Sequence, residues 1–281
     1  MTARYYARFR RRYPDLVVDR LVEVLGLDAG SRVLDLGCGP GTLTVPLAGR
    51  VGVAIGADPE PDMLALGRQA GLAAGVDNVV WLLAADSDLD AVCAVLGHGT
   101  LAAITIGCAF HWMDCPTLFV GARDLIRVGG RVAVVTNGVA DWEQDTPWAR
   151  VLRDKLAARF GGPVRGRTGT DADSQQAVMA ALAGAGFTDV SQTVVQYVEQ
   201  RTVEELIGSL YSAMSPRTVE RLQNDGFAAD LADALADVGD ERRLTGGVTV
   251  KIVSAALGTS TGDAARCAVR CSTIGQVRPR R

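Results

Sequence analysis

Three observations predict an α/β fold built on a mostly parallel sheet. Short apolar runs recur along the first half of the chain, each followed by a segment with helical spacing. Repeated strand–helix–strand units of this kind close into a parallel sheet with helices on both faces. The first run, Arg32–Leu36, ends in a turn with three glycines at alternate positions, Gly37, Gly39 and Gly41. Hydrophobic residues make up 48% of the 281 and charged residues 22%, enough to bury a core and too apolar for a disordered chain.

The other elements follow in order. A helix over 42–50 starts at the glycine turn, with Pro46 acceptable only near its first turn. A second strand covers 51–57. A helix over 61–71 carries apolar residues at 63, 64 and 66, and the third and fourth strands cover 79–84 and 102–108. A helix over 117–126 is closed by Gly129 and Gly130, and a fifth strand covers 131–136. The pattern then loosens into tryptophans, acids and a Gly/Arg-rich stretch over 137–170. A helix over 174–185, a long strand over 187–198, a mostly helical stretch over 202–236 and a last strand over 247–256 complete the reading. Residues 258–281 are small, polar and basic, and read as a flexible tail.

A net charge of −3 argues against nucleic acid as the main partner, although Arg4, Arg8, Arg10, Arg11 and Arg12 crowd the N-terminus. There is no apolar leader behind those arginines and no apolar run of membrane-spanning length. Six cysteines without a CxxC pair, beside only His98 and His111, give no metal site and fit reduced thiols in a cytoplasmic protein.

The run Val33-Leu34-Asp35-Leu36-Gly37-Cys38-Gly39-Pro40-Gly41-Thr42 resembles the first motif of the class I S-adenosylmethionine (SAM) dependent methyltransferases. A dinucleotide loop, G-x-G-x-x-G, would need glycine where Thr42 stands. The resemblance implies a Rossmann-like, seven-stranded, mostly parallel sheet whose last strand is antiparallel, with an inserted helical substrate cap. It divides the chain into a lid segment (1–20), a SAM-binding core (21–136), cap insertions (137–170 and 200–245) and the remainder of the core (171–199 and 246–257). Gly37, Cys38, Gly39 and Gly41 would cradle SAM, with Asp35 facing its amino group or sulfonium. Asp58, at the tip of the second strand, would take the ribose hydroxyls. Pro59 and Met63 would border the adenine, unless Met63 is a core residue. Asp86, with Ser87 beside it, would accept from the adenine amino group, unless it caps the next helix.

The fourth strand exits through Cys108-Ala109-Phe110-His111-Trp112-Met113-Asp114, a run similar to one in bacterial small-molecule methyltransferases. It would place Cys108 beside the cofactor, His111 as general base and Asp114 as a proton acceptor for an amine. The plainer alternative is that His111 and Trp112 only pack under the cap. The segment 5–14 is similar to a lid in the same group. Arg10 would pair with the methionine carboxylate, Tyr6 would cover the sulfonium and Tyr13 would reach the substrate. A solvated basic arm is the alternative. Asp141, Trp142, Asp145 and Trp148 follow the fifth strand. With Glu143 and Asp114 they would form an acidic, aromatic-walled mouth for a small cationic substrate, which Trp112 would also contact, or an ordinary loop whose tryptophans pack.

Taken together, the chain is similar to actinobacterial secondary-metabolite methyltransferases, including those acting on aminoglycosides. The expected activity is N-methylation of an amine-bearing natural product, with SAM converted to S-adenosylhomocysteine and no metal. The alternatives are O- or C-methylation of a neutral or phenolic metabolite and a non-catalytic SAM-binding regulator. The expected partner is the small molecule alone, without nucleic acid or membrane, and the sequence leaves the oligomeric state open.

Overall fold

Apolar strand residues divide between two layers in the alternation that a sheet covered on both faces requires. In β1 (Arg32–Leu36), Val33 joins one buried layer while Leu34 and Leu36 join the other. In β5 (Ile126–Val135), Ala133 and Val135 take the first layer, Val132 and Val134 the second. The computed structural model describes residues 2–164, 169–236, 238, 243–258 and 270–273.

The remaining strands are β2 (Val53–Asp58), β3 (Val79–Leu83), β4 (Leu101–Gly107), β6 (Thr188–Arg201), β7 (Leu244–Ala256) and β8 (Arg270–Thr273). They form one sheet in the order β3-β2-β1-β4-β5-β7-β6-β8. β7 runs antiparallel to β5 and β6, and β8 is a short addition parallel to β6. The seven-stranded sheet with an antiparallel last strand is therefore present, extended by one edge strand. Apart from Gly258 and β8, the segment 258–281 lies outside the described residues.

Two helices near the N-terminus, α1 (Thr2–Phe9) and α2 (Asp15–Leu25), were not read from the sequence. Val17, Val18, Leu21 and Leu25 of α2 are buried against the sheet. The segment that leaves the core is thus shorter than 1–20 and ends near Pro14. The fifth strand starts at Ile126 rather than 131. Gly129 and Gly130 sit where its register with β4 shifts, instead of closing the preceding helix.

The sheet helices are α3 (Thr44–Ala48), α4 (Pro61–Ala73), α5 (Leu89–Leu96), α6 (Cys115–Leu125) and α8 (Ala172–Gly184). A further core is built from α7 (Pro147–Phe160), α9 (Val203–Ser212), α10 (Pro216–Asn224) and α11 (Phe227–Leu235). Leu152, Leu156, Leu206, Leu210, Phe227 and Leu231 are among its fully buried residues. The long β6 and β7 pair from Thr188 with Ala256 to Arg201 with Leu244, so their far ends carry this helical cap.

Trp81 of β3 braces the glycine turn from below. A Cβ on Gly41, Gly56 or Gly67 would lie 2.6–2.9 Å from its indole carbons, too close for any atom to fit. Glycine inside a helix ordinarily costs about 1 kcal/mol relative to alanine, so Gly67→Ala in α4 would stabilise a helix with free space. Here the added methyl overpacks a rigid ring, and the expected result is a loss of about 1–3 kcal/mol. Denaturant unfolding in the Gly67→Ala and Gly67→Ala/Trp81→Leu proteins checks this. The penalty should vanish or reverse once the indole is gone, and a Gly67→Ala single variant more stable than wild type would contradict it.

Candidate active site

The sheet order reverses between β1 and its two neighbours, β2 and β4, which opens a crevice at the carboxyl ends of those strands. The glycine turn lines that crevice. The N–H groups of Gly37 and Cys38 both donate to Ala57 O, at 2.8 and 3.0 Å, and the Gly39 N–H donates to Asp58 Oδ2 at 2.8 Å. Asp58 Oδ1 accepts the Glu60 N–H at 3.0 Å. Asp58 therefore shapes the turn with one lone pair on each oxygen and keeps others for a ligand hydroxyl.

The three glycines have different reasons. All adopt positive φ, 68°, 53° and 76°, which a side chain disfavours. A Cβ on Gly37 would also meet Ala109 Cβ at 2.5 Å and Met113 Cε at 2.8 Å, and one on Gly41 would meet Trp81. Only Gly39 faces open space, with the Tyr6 ring 3.8 Å beyond it. Cys38 turns its buried thiol inward, towards Gly56 and away from the crevice, and burial pushes that thiol far up.

Asp35 is buried beneath the turn, where Thr44 Oγ1 donates to its Oδ2 at 2.6 Å and Thr105 Oγ1 to its Oδ1 at 3.0 Å. Burial raises its carboxyl to about 6, against the pull of those two hydroxyls. Among the described residues no cation pairs with it. The Arg10 guanidinium lies 5.3 Å from the Tyr6 ring centroid and pairs with no described carboxylate. Asp35 beneath the glycine turn and Arg10 in the cavity lining, neither with a charge partner among the described residues, are the acid and base that could hold the ammonium and carboxylate of an α-amino acid such as the methionine end of SAM.

The exits of β3 and β4 are tied together, since the Asp114 N–H donates to Asp86 Oδ2 at 3.1 Å. Asp114 stands at the N-cap of α6, accepts the Thr117 hydroxyl at 2.9 Å and is exposed. It stands at the helix start without a capping hydrogen bond to the backbone, and it is not among the residues that line the cavity described below. Ser87 and Pro59 are exposed, and Met63 is half-buried in the first turn of α4. Cys108 takes the left-handed conformation, φ 55°, and its Sγ lies 3.2 Å from the buried Tyr13 hydroxyl. Burial and the neighbouring thiol raise the Tyr13 phenol well above its ordinary value.

A cavity of about 440 Å³ lies between these strand exits and the cap. Tyr6, Arg10, Tyr13 and Cys108 line its cofactor side. His111, Trp112, Val139, Trp142, Val164 and Met214 line the side towards the cap. Trp112 is 83% exposed at the rim and tilts against the His111 ring, 5.2 Å between centroids. The indole N–H of Trp142 is buried and has no hydrogen-bond partner.

The expected acidic mouth is not assembled. The Asp141 carboxylate is buried and takes Arg11 Nη2 at 3.1 Å, Ser209 Oγ at 2.8 Å and the Arg201 guanidinium. Burial alone would raise this acid, but Arg201 and Arg11 hold it below its ordinary value. Asp145 points to solvent, 93% exposed, and pairs with Arg150 at 3.0 Å. Trp148 is buried in the cap core, where its Nε1–H donates to Thr245 O at 2.9 Å. Of Asp141, Trp142, Asp145 and Trp148, the cavity lining includes Trp142 and a neutralised Asp141. The arginines that neutralise it escaped the sequence reading because Arg11 lies 130 residues from Asp141 and Arg201 lies 60, so no local spacing signals the pair.

Comparison with known proteins agrees with this geometry. Residues 33–130 match a family model described as a methyltransferase domain. An uncharacterized methyltransferase of Mycobacterium tuberculosis is 32% identical over 162 residues, 58% of this chain and 59% of that protein. The chain thus matches little more than half the length of that relative. A trans-aconitate 2-methyltransferase of Mycobacterium sp. (strain KMS) is 30% identical over 236 residues, 76% of this chain and 82% of that protein. Among solved structures, a type II methyltransferase from Anaeromyxobacter dehalogenans superposes with a TM-score of 0.65 at 22% identity, covering 89% of this chain and 99% of that one. The YcgJ protein of Bacillus subtilis superposes with a TM-score of 0.51 at 14% identity, covering 86% and 98%; both structures share the fold. With a sheet open at its glycine turn and a methyltransferase relative matched over three quarters of its length, the chain belongs to the class I SAM-dependent methyltransferases.

Proposed function

We propose that this enzyme transfers the SAM methyl to a hydroxyl oxygen of a neutral small molecule bound against the cap side of the cavity. The neutralisation of Asp141 carries this reading. An amine-bearing acceptor would need free carboxylates, and Asp141 is already matched by two arginines while Asp145 faces solvent. The lining instead mixes Trp112, Trp142 and Met214 with the uncharged polar residues Asn137, Ser209 and Ser212, which suits a neutral, oxygen-bearing acceptor.

SAM, when bound, supplies a methyl group already activated by its sulfonium. The protein contributes alignment and the exclusion of water. In this reading Asp35 takes the cofactor's ammonium, Arg10 its carboxylate and Asp58 its ribose hydroxyls. His111, in the turn after β4, removes the acceptor proton as the oxygen attacks. Trp112 and Trp142 hold the acceptor's ring faces, and Tyr6 closes over the glycine turn.

A second reading is favoured by the absence of a described acid beside Arg10 and by the name of the trans-aconitate relative: the acceptor is itself a carboxylate drawn to the positive charge of Arg10, which the cofactor's carboxylate would then share. A carboxylate already carries its nucleophilic electron pair and needs no base. The two readings separate in one experiment, methyl transfer from labelled SAM to a panel of phenols, alcohols, carboxylic acids and amino sugars, followed by mass spectrometry with wild type and His111→Asn. The hydroxyl reading expects a product on phenols or alcohols and a kcat loss of about 10²–10⁴ in the variant, at unchanged S-adenosylhomocysteine affinity. A product on carboxylic acids with kcat preserved favours the second reading, and a product confined to amino sugars contradicts both.

The raised Asp35 carboxyl gives a pH dependence of defined sign. Below about 6 the free protein holds Asp35 neutral, so a ligand ammonium loses its counter-charge. S-adenosylhomocysteine affinity should be level above about 6 and fall as pH drops through it. In the free protein the sign is opposite: stability from the neutral buried acid is present below the unfolded value and lost as pH rises through about 6. Calorimetric titration across pH 5–8 with wild type and Asp35→Asn checks the binding arm. A wild-type affinity independent of pH over that interval would contradict the assignment.

A further inference from the structure

The lid end of the chain and the acceptor wall meet at one side chain, Arg11. Its Nε donates to both Glu199 oxygens, at 2.9 and 3.0 Å, and its Nη2 to Glu199 Oε1 at 2.7 Å and Asp141 Oδ1 at 3.1 Å. Its Nη1 donates to Asn137 O at 2.8 Å. Asn137 answers with its own amide, which donates to the carbonyls of Arg11 and Arg12 at 3.2 and 3.3 Å. Gly138 curls around the guanidinium at φ 80°, where a Cβ would stand 2.8 Å from Arg11 Nη1.

Arg11, Arg201, Asp141 and Glu199 have side chains only 8–17% exposed and together carry no net charge. Breaking one member out of such a cluster leaves a buried ion uncompensated, so it moves as a unit. On one side of that unit, one residue away, Arg10 leads back to Tyr6 over the glycine turn. On the other side, residues 138–142 form the cap-side wall, and Asp141 holds Ser209 of α9. The lid has its own latch on the same helix: Phe9 fills the space where a Cβ on Gly208 would sit.

We propose that Arg11 is a positioning residue that couples cofactor binding to the acceptor wall. A cofactor on the glycine turn holds Tyr6 and α1 down, and α1 fixes the backbone of Arg11. The guanidinium and the Asn137 clamp then order residues 137–142, so the acceptor site is completed only after the cofactor is in place. Coupling of this kind is reciprocal, and an ordered wall tightens the cofactor in turn. The inference rests on the chain binding SAM and is independent of which acceptor is methylated.

Hydrogen–deuterium exchange with and without saturating S-adenosylhomocysteine reads the coupling directly and uses no acceptor. In wild type the ligand should slow exchange in 37–41 and in 137–142 together, the second by about tenfold, within the range of coupled sites. In Arg11→Met the ligand should still protect 37–41 but no longer 137–142. Arg11→Lys, which keeps the charge but not the fork that joins several partners, should fall between. A purely structural Arg11 would lower the melting temperature and leave ligand-dependent protection of the wall intact. If Arg11→Met does not fold, Asn137→Ala removes the return clamp without stranding a charge and should show the same separation. Undiminished protection of 137–142 in either folded variant, or none in wild type, would overturn the proposal.

Discussion

A carboxylate taken out of water must bring its counter-charge with it, and most of this site's arrangement follows from that requirement at Asp141. The two arginines that answer it come from the segment behind the lid and from the far end of β6, and the hydroxyl that completes it comes from α9. Sheet, lid and cap therefore converge on one acid. The desolvation cost of such a cluster is several kcal/mol per ion, so it persists only because every member is matched. Glu199 supplies the second negative charge, and Arg11 spans both acids because its fork presents donors in several directions at once. The same matching leaves no unpaired carboxylate among the described residues that line the cavity.

The cofactor side is preorganised by different means. Backbone N–H groups of the glycine turn are pinned to the tip of β2, and the turn rests on the Trp81 indole and under the Ala109–Met113 exit of β4. These contacts hold the turn in its left-handed conformations without help from a ligand, which lowers the ordering cost that binding would otherwise meet. Asp35 and Arg10 have no opposite charge beside them among the described residues, which is what the proposed cofactor reading draws on.

Much of the fold was legible because local chemistry specifies it. The strand at Arg32–Leu36 was read to the residue, since a buried apolar run ends abruptly at a glycine that must turn. The start of β5 was misjudged because two glycines that look like a helix terminator lie in a strand irregularity set by pairing with β4. The helix α2 is less legible although Val17, Val18, Leu21 and Leu25 have helical spacing, because Pro14 opens it without a side-chain cap. At the site, residues belonging to the glycine turn and strand tips were legible because strand order fixes where they emerge. The roles of Asp141, Asp145 and Trp148 were not, because each depends on a partner brought in by tertiary packing. The acid-rich loop looked like a mouth in one dimension, and in three its central acid is an internal counter-ion.

The unfolding free energy of Asp141→Asn tests that assignment most directly. The substitution keeps the shape of the side chain and removes the charge, leaving Arg11 and Arg201 to share Glu199. If Asp141 is the counter-ion of a buried cluster, denaturant unfolding near neutral pH should show a loss of about 3–5 kcal/mol, the cost of an uncompensated buried charge. A variant as stable as wild type would mean that the carboxylate is free for a substrate, and the account of the cavity as neutral would be wrong.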